Sequence, residues 1–436
     1  MFETSGEPLD LDGPDPRARA LHWYLGHLRT GFRDVTEDEV RARHRSDDAI
    51  PAEQRIRFFT ADAERLTDLA FDEAFAIAPH ESVARLRDAK GRAWRLRALL
   101  HPPEPERLRW AFLAQEPAPG VVIRFATPAD GPALAELERR VPVVDGAVRR
   151  SYDRGADYFV ATAVADEHYT LVAEVDDQIR GMVSQVVHPA RADGRQLRLS
   201  YVRHLRVDPA SRGRGVSSAL NVAVAENGIP HCDAPWSLTA VSNEAVDRHG
   251  FRTVARSPTA QLRIDTRAIA HAGALATAEA RDAERITELL SQAAADLELS
   301  RPWRIREIEA RVGGVGARYG WDRVGLGDGA ALGVERTPVV VRTETADGIS
   351  ERREALAFDL AAVAGQETEL VRLVRAWCAR LADEGIDDLL VTVASPRLLA
   401  PLAELAVSET RFNLNHQFRV AADADARGYF IDGMLF

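Results

Sequence analysis

A loop rich in glycine and arginine near the middle of the chain carries the clearest chemical signal. A strand-like segment ends at Val207, Asp208-Pro209 turns the chain, and the loop Arg212-Gly213-Arg214-Gly215-Val216-Ser217 leads into a helix-like segment. The first N–H groups of a helix lack partners within the helix and carry partial positive charge, and glycine lets the backbone curl closely around a phosphate. Guanidinium groups grip phosphate oxygens in pairs. The pattern therefore predicts a phosphate site on this loop.

Two common phosphate loops do not fit this spacing. A P-loop needs Gly-Lys-Ser/Thr and a dinucleotide fingerprint needs a third glycine, and this loop has neither. The spacing resembles the pyrophosphate loop of the GNAT superfamily of acyl-CoA N-acyltransferases, which reads Arg/Gln-x-x-Gly-x-Gly/Ala after a hydrophobic-x-Val-x-Pro strand end. Arg212, Gly215 and Ser217 occupy the pattern positions, and Ser217 keeps a small side chain where the family has Gly or Ala. The resemblance covers residues 121–264.

The resemblance implies how a coenzyme A thioester would bind. Main-chain N–H groups from Gly213 to Ser217 would hold the pyrophosphate, and the strand end at 205–207 would pair with pantetheine. That strand would splay from the next one, 237–241, and a backbone N–H near Leu205 would polarise the thioester carbonyl. The implied binding residues, with acetyl-CoA or another acyl-CoA as cofactor, are Leu205, Val207, Arg212, Gly213, Arg214, Gly215, Val216, Ser217 and Asn243.

The implied reaction needs a base for the incoming ammonium and an acid for the departing thiolate. The long strand offers His204, whose side chain has an ordinary pKa of about 6.5, and Tyr201. The family's usual acid is a Tyr shortly before a Gly-Phe pair, but this chain has Val246 at that position. Asp247, His249 or a water could replace it. The predicted catalytic residues are His204, Tyr201 and Asp247.

The elements around the loop alternate between strands and helices, as this fold requires. The sequence predicts a strand over 121–125, a helix over 129–141, a hairpin over 169–187 and a long strand over 197–207. The helix that follows the loop spans 216–226 and ends at Asn227-Gly228. Strands over 236–241 and 251–264 complete the unit.

The remainder of the chain repeats this order with a weaker loop. Strands are predicted over 355–361, 388–393 and 412–420, with helices over 368–383 and 396–406. The loop that corresponds to the phosphate loop, 362–369, has one glycine, no arginine and two glutamates, which would repel a pyrophosphate. We therefore expect a second GNAT-like unit without its own CoA.

The sequence thus predicts an α+β protein made of tandem GNAT folds. Each fold is a mostly antiparallel mixed sheet flanked by helices, and a mainly helical N-terminal extension precedes them. In that extension helices are expected over 17–29, 62–78 and 80–89, followed by short strands over 93–99 and 110–114. The predicted domains are the extension, 1–118, the CoA-binding acyltransferase domain, 119–268, and the degenerate domain, 269–436.

Composition excludes several classes of function. The formal charge is −11 from 56 basic and 67 acidic residues, which argues against a dedicated nucleic-acid partner. Two cysteines are too few for a zinc cluster or a disulfide framework, so no metal is predicted. No segment approaches the about 18 apolar residues of a membrane helix, and no secretory signal is evident. We expect a cytoplasmic protein with no membrane partner, and the sequence leaves a homodimer open.

The leading functional hypothesis is acetyl transfer from acetyl-CoA to a primary amine of a small molecule by direct attack. The first alternative is altered acyl chemistry on the same fold, with a carrier-protein acyl donor or decarboxylation of a malonyl thioester. The missing tyrosine gives this alternative weight. The second alternative is a non-catalytic sensor of acyl-CoA, which the same loop would also serve.

Overall fold

The computed structural model describes two groups of residues. The first comprises the backbone of six N-terminal strands. The second comprises residues 120–155, 158–161, 167–228, 232, 234–240, 257–269, 274–301, 303–313, 317, 319–416 and 429–430.

The N-terminal strands form a sheet of their own, where the sequence predicted mainly helix. The strands are β1 (Ile56–Thr60), β2 (Ala70–Phe71), β3 (Ala76–Ile77), β4 (Glu81–Arg87), β5 (Ala93–Leu99) and β6 (Arg109–Gln115). The prediction for β5 and β6 is confirmed. The helix expected over 62–78 is wrong, because β2 and β3 lie within that range and pair with β4. The helix expected over 80–89 is wrong as well, because β4 pairs along its whole length with β5. Strand pairing there outweighs the helix propensity of Ala, Leu and Arg. The helix predicted over 17–29 lies outside the described residues.

Two further sets of elements form the rest of the described chain. The strands are β7 (Val121–Phe125), β8 (Val143–Asp145), β9 (Val148–Asp153), β10 (Glu167–Val175), β11 (Gln178–Ala192), β12 (Arg195–Val207), β13 (Ala234–Ala240), β14 (Ser257–Asp265), β15 (Val324–Leu326), β16 (Ala330–Val334), β17 (Val339–Thr345), β18 (Gly348–Ala362), β19 (Asp388–Val393) and β20 (Ser408–His416). The α-helices are α1 (Gly131–Arg140), α2 (Val216–Gly228), α3 (Ala283–Ala293), α4 (Ile305–Val312), α5 (Glu367–Asp383) and α6 (Pro396–Ala403).

These fourteen strands form one continuous sheet that runs through both halves of the chain. Its main path is β7-β10-β11-β12-β13-β20-β14-β19-β18-β17-β9-β8, and β16 joins at β18 and carries β15. The pairs β12–β13 and β18–β19 are parallel, and the other pairs in this sheet are antiparallel. The structure therefore confirms the predicted α+β class with a mixed, mostly antiparallel sheet.

The two halves exchange their final strands at the centre of the sheet. β14, the last described strand of the first half, pairs with β19 of the second half. β20 comes from the second half and pairs with β13 of the first. β14 and β20 also pair with each other, so equivalent strands flank them on both sides. The strand pairing thus crosses the predicted boundary at 268, although the two halves repeat in sequence order.

Separate apolar clusters on the two faces of the sheet fix the helices. Helix α2 packs through Val216, Leu220 and Val224 on β10 and β11, and α1 packs on the opposite face through Leu134 and Leu137. In the second half, α5 and α6 cover one face and α3 and α4 cover the other. Most predicted boundaries of these elements hold to within a few residues, and β7 and β19 match their predictions residue for residue.

The strand exchange predicts that neither half folds alone. A chain divided within residues 270–273 gives one fragment in which β13 lacks β20 and one in which β19 lacks β14. We expect each fragment alone to show no cooperative thermal unfolding by circular dichroism, and an equimolar mixture to recover it. A first-half fragment that unfolds cooperatively, at the transition temperature of the intact chain, would contradict the exchange.

Candidate functional site

A β-bulge interrupts the long strand β12 at His204. Ser184 of β11 pairs with Arg203 and Met182 pairs with Arg206, so one residue of β11 faces two of β12. His204 takes the left-handed conformation, with φ of 54°. A bulge re-aims side chains and ends regular pairing, and such bulges often lie beside active sites. The bulge therefore turns the His204 side chain out of the normal alternation of the strand.

Beyond the bulge, β12 separates from its parallel neighbour β13. The two strands pair at three positions, the last of which joins Tyr201 to Trp236. From Trp236 to Ala240, β13 pairs instead with β20. The end of β12, from Val202 to Val207, thus borders a wedge between two diverging strands. This divergence was expected from the family resemblance, and the strand register confirms it.

Asp208 anchors the loop that follows β12. Its Oδ1 accepts a hydrogen bond from the backbone N–H of Ala210 at 3.0 Å, and its Oδ2 lies 2.8 Å from both Arg180 and Arg140. Burial by itself would raise the pKa of Asp208, but these N–H and guanidinium partners hold it below its ordinary value. The carboxylate thus ties the loop to β11 and to the end of α1.

Both glycines of the loop between β12 and α2 take the left-handed conformation. Gly213 and Gly215 have φ of 77° and 76°, a conformation that other residues rarely adopt. A Cβ at Gly213 would meet no described heavy atom within 4 Å, so this part of the loop borders open space. Arg212 is exposed, and Arg214 lies 3.4 Å from the exposed carboxylate of Asp176. Two guanidinium groups therefore lie on the loop that leads into the first turn of α2.

A glycine in β11 lets the start of α2 approach the sheet closely. A Cβ on Gly181 would lie 2.7 Å from Cγ1 of Val216 and 3.1 Å from Cδ1 of Leu220. Val216 is 1 % exposed and packs in the cluster under α2, which Leu205 and Val207 also join. The side chain of Val216 is thus a core group, and Ser217 is half-buried beside it. The position of the loop depends on this contact with Gly181.

His204 contacts a series of buried hydroxyl groups. Its Nδ1 lies 3.0 Å from the hydroxyl of Tyr158, which lies 3.0 Å from Oγ of Ser184. Ser184 in turn lies 3.0 Å from Oγ1 of Thr170. Tyr158 is 2 % exposed and comes from a short 3₁₀ turn before β10. The sequence analysis missed Tyr158, because no spacing rule connects it to a strand 46 residues later.

The other predicted catalytic residues differ in how the structure describes them. Tyr201 is 4 % exposed and packs on Trp236 with ring centroids 4.3 Å apart, and burial raises its pKa. Asn243 and Asp247 lie outside the described residues.

Among the described residues, no group of three His, Cys, Asp or Glu side chains could hold a metal ion. None of the helices in that part of the chain combines the length and apolar character needed to cross a lipid bilayer.

The second half contains the same bulge, but different side chains lie at it. Gly333 of β16 pairs with Phe358, Ala331 pairs with Ala361, and Asp359 has φ of 47°. Asp359 therefore corresponds to His204. Its carboxylate forms a buried ion pair with Arg311 at 2.7 Å and accepts a hydrogen bond from the hydroxyl of Tyr319. Protein groups thus occupy this bulge.

The loop after β18 is shorter than its counterpart and is bonded to the protein itself. Four residues separate β18 from α5, compared with eight between β12 and α2. The Glu367 carboxylate accepts hydrogen bonds from the N–H of Gly365 and from Arg397, which also donates to the Ala362 carbonyl. The Glu369 carboxylate accepts from two backbone N–H groups of the β15–β16 turn, at 2.7 Å each. These carboxylates give the loop no free room for an anion.

We predict that Gly181→Ala destabilises the protein by about 1–3 kcal/mol, because the new methyl group overpacks the start of α2. Urea denaturation of the purified variant measures the change. Val216→Ala makes room for that methyl group, so the double variant should lose less stability than the sum of the two single variants. Equal stability of Gly181→Ala and the wild type would contradict the close contact.

Comparisons with known proteins bear on the fold. No protein-family model matches the sequence, and no curated protein matches it. Solved structures do match in three dimensions. A structure of Saccharomyces cerevisiae N-myristoyltransferase with bound myristoyl-CoA has 10% identity and a TM-score of 0.55, and the match covers 76% of this chain and 94% of that one. A second structure of that enzyme with myristoyl-CoA has 10% identity and a TM-score of 0.53, covering 72% and 86%.

Three features occur together in the first half: the bulged strand, its divergence from the next strand, and the glycine loop before α2. The bulge and the divergence recur in the second half. With the match over most of the length of both chains, these features identify the architecture. The chain therefore has a GNAT-type fold, repeated in tandem.

Proposed function

We propose that this protein is an acyl-CoA-dependent N-acyltransferase whose site lies in the first half. The observation that carries the proposal is the joint position of three features at one end of β12: the bulge at His204, the wedge beside β13, and the glycine loop from Arg212 to Gly215. In this arrangement a long ligand with an anionic end could bind the loop and place its other end at the bulge.

The residues at the loop fit the pyrophosphate of coenzyme A. Gly213 and Gly215 have the positive φ angles found in backbone turns that bind anions, and Gly213 borders open space. Within the described part of the chain, no carboxylate forms an ion pair with Arg212. The shortened second loop, whose Gly365 N–H is bonded to the Glu367 carboxylate, supports a single coenzyme site in the two described halves.

The residues at the bulge fit acyl transfer by direct attack. When bound, the coenzyme supplies a thioester whose carbonyl carbon accepts the amine nitrogen, and the carbon–sulfur bond then breaks. His204 has a side chain able to take a proton from the ammonium group near neutral pH. Its half-buried place on the bulge and its hydrogen bond to Tyr158 support this role. Asn243 and Asp247 stay predictions for pantetheine binding and thiolate protonation, and Tyr201 stays a predicted catalytic residue.

The identities of the acyl donor and of the amine acceptor are narrower proposals. We keep acetyl-CoA as donor and a primary amine of a small molecule as acceptor. The solved structures that share the fold hold myristoyl-CoA, so a long acyl chain belongs in the donor panel. A carrier-protein donor, malonyl decarboxylation and acyl-CoA sensing are the competing outcomes. Thiol release that requires an amine distinguishes acyl transfer from malonyl decarboxylation and from acyl-CoA sensing.

Binding of the coenzyme tests the loop directly. Arg212→Glu places a negative charge beside the pyrophosphate, and we expect it to weaken CoA binding at least tenfold in titration calorimetry, by about 1.4 kcal/mol. Arg281→Glu reverses a similarly exposed arginine far from the loop, before α3, and should bind CoA like the wild type. Equal affinity of Arg212→Glu and the wild type would remove the loop from the proposal.

Turnover tests the base. His204→Gln keeps a polar side chain of similar length but cannot accept a proton, so we expect the rate of amine-dependent thiol release to fall by about 10²–10⁴-fold with CoA affinity unchanged. The measurement uses acetyl-, malonyl- and myristoyl-CoA with a panel of amines. A His204→Gln protein with the wild-type rate and pH profile would exclude His204 from the mechanism.

A further inference from the structure

The hydroxyl chain behind His204 bears on which ring nitrogen would act on a substrate. Tyr158 contacts Nδ1, so a proton transfer between His204 and an acceptor amine would use Nε2. Nε2 can accept a proton only in the tautomer that carries hydrogen on Nδ1. That tautomer needs an acceptor at Nδ1, and the Tyr158 oxygen lies at hydrogen-bond distance, 3.0 Å.

The rest of the chain lets Tyr158 act as that acceptor. When its oxygen accepts from Nδ1–H, its own hydrogen can point to Ser184, and the Ser184 hydrogen can point to Thr170. Tyr158 and Ser184 then each accept one hydrogen bond and donate one, and Thr170 accepts the last. Burial raises the pKa of Tyr158, and the Glu138 carboxylate raises it further, so the phenol stays protonated while the histidine changes charge.

The second half shows what the same tyrosine position does with a carboxylate partner in place of an imidazole. Tyr319 precedes β15 as Tyr158 precedes β10, and its ring contacts Gly333, the residue that corresponds to Ser184. Its hydroxyl donates to Asp359, which Arg311 holds in a buried ion pair. A tyrosine directed at the bulge is therefore common to both halves, but only the first half offers it an imidazole.

Charged groups from three elements act on the Tyr158 hydroxyl. They are Glu138 of α1, Arg154 after β9 and Arg203 of β12. Glu138 is 1 % exposed and lies 3.3 Å from Arg154, so these two charges largely offset each other. The positive charge of Arg203 disfavours a second positive charge nearby. A good hydrogen-bond acceptor at Nδ1 is therefore more important for His204 in its protonated form.

We infer that Tyr158 is a positioning residue of the acyltransferase site: its hydroxyl oxygen accepts a hydrogen bond from Nδ1–H of His204 and so presents Nε2 to the acceptor amine. Tyr158 does not touch the reacting atoms. It selects the tautomer and holds the ring while Nε2 takes the proton from the ammonium group. This inference rests on the proposed function, because it assigns a role within that reaction.

The test compares two tyrosine variants at corresponding positions. Tyr158→Phe keeps the ring and removes the acceptor, so we expect kcat to fall roughly tenfold or more, since part of the contribution of general-base catalysis is lost. The acidic limb of the kcat–pH profile should move to lower pH, because the protonated imidazole loses a hydrogen bond that favoured it. CoA affinity by calorimetry should stay at the wild-type value. Ser184→Ala should change kcat in the same direction by less.

The matched control is Tyr319→Phe, which removes the corresponding hydroxyl in the second half. It should lower the thermal stability through Asp359 but leave the pH profile unchanged. A Tyr158→Phe protein with the wild-type kcat and pH profile overturns the inference and leaves the acyltransferase proposal intact. A pH profile that moves equally in both tyrosine variants also overturns it, because the effect is then structural. A wild-type protein that releases no thiol from any acyl-CoA overturns the proposed function itself.

Discussion

The position of Trp236 between two neighbouring strands is the constraint on which the site depends. Up to Trp236, β13 pairs with β12, and from Trp236 onward it pairs with β20. A strand can turn away from one neighbour only if another satisfies its backbone groups, because unpaired N–H and C=O groups are costly when buried. The wedge beside His204 thus exists because the second half supplies β20. Tyr201 and Trp236 pack against each other where the strands part.

The same strand geometry carries different side chains in the two halves. Both have a bulge with a left-handed residue, and both have strands that diverge after three parallel pairs. In the second half, an ion pair between Arg311 and Asp359 fills the bulge, and Arg397 covers the Ala362 carbonyl. Removing one member of a buried pair leaves an uncompensated charge, so the loss of either Arg311 or Asp359 alone would be destabilising. The first half keeps an exposed loop and a histidine at those positions.

Local signals predicted the loop and most of the elements, because glycine positions, capping residues and apolar periodicity act over short stretches of chain. The bounds of β7 and β19 and the helix after Gly215 follow from such signals. The strand β4 was mistaken for a helix, because Ala, Leu and Arg favour helix until a neighbouring strand is present. The strand exchange and the role of Tyr158 depend on contacts between distant segments, which no local pattern encodes. The correspondence of Tyr158 with Tyr319 likewise follows only from the matching bulges of β12 and β18.

The exchanged strands also bear on the order in which the site is made during synthesis. About 170 residues separate β13 from β20, so a ribosome adding about 5–20 residues per second needs roughly 8–35 s to supply the partner strand. During that interval β13 has no partner on the side that β20 later covers, so its divergence from β12 is not yet stabilised. The wedge is therefore fixed only after β20 has left the ribosome, and a prematurely terminated chain would carry the loop without it.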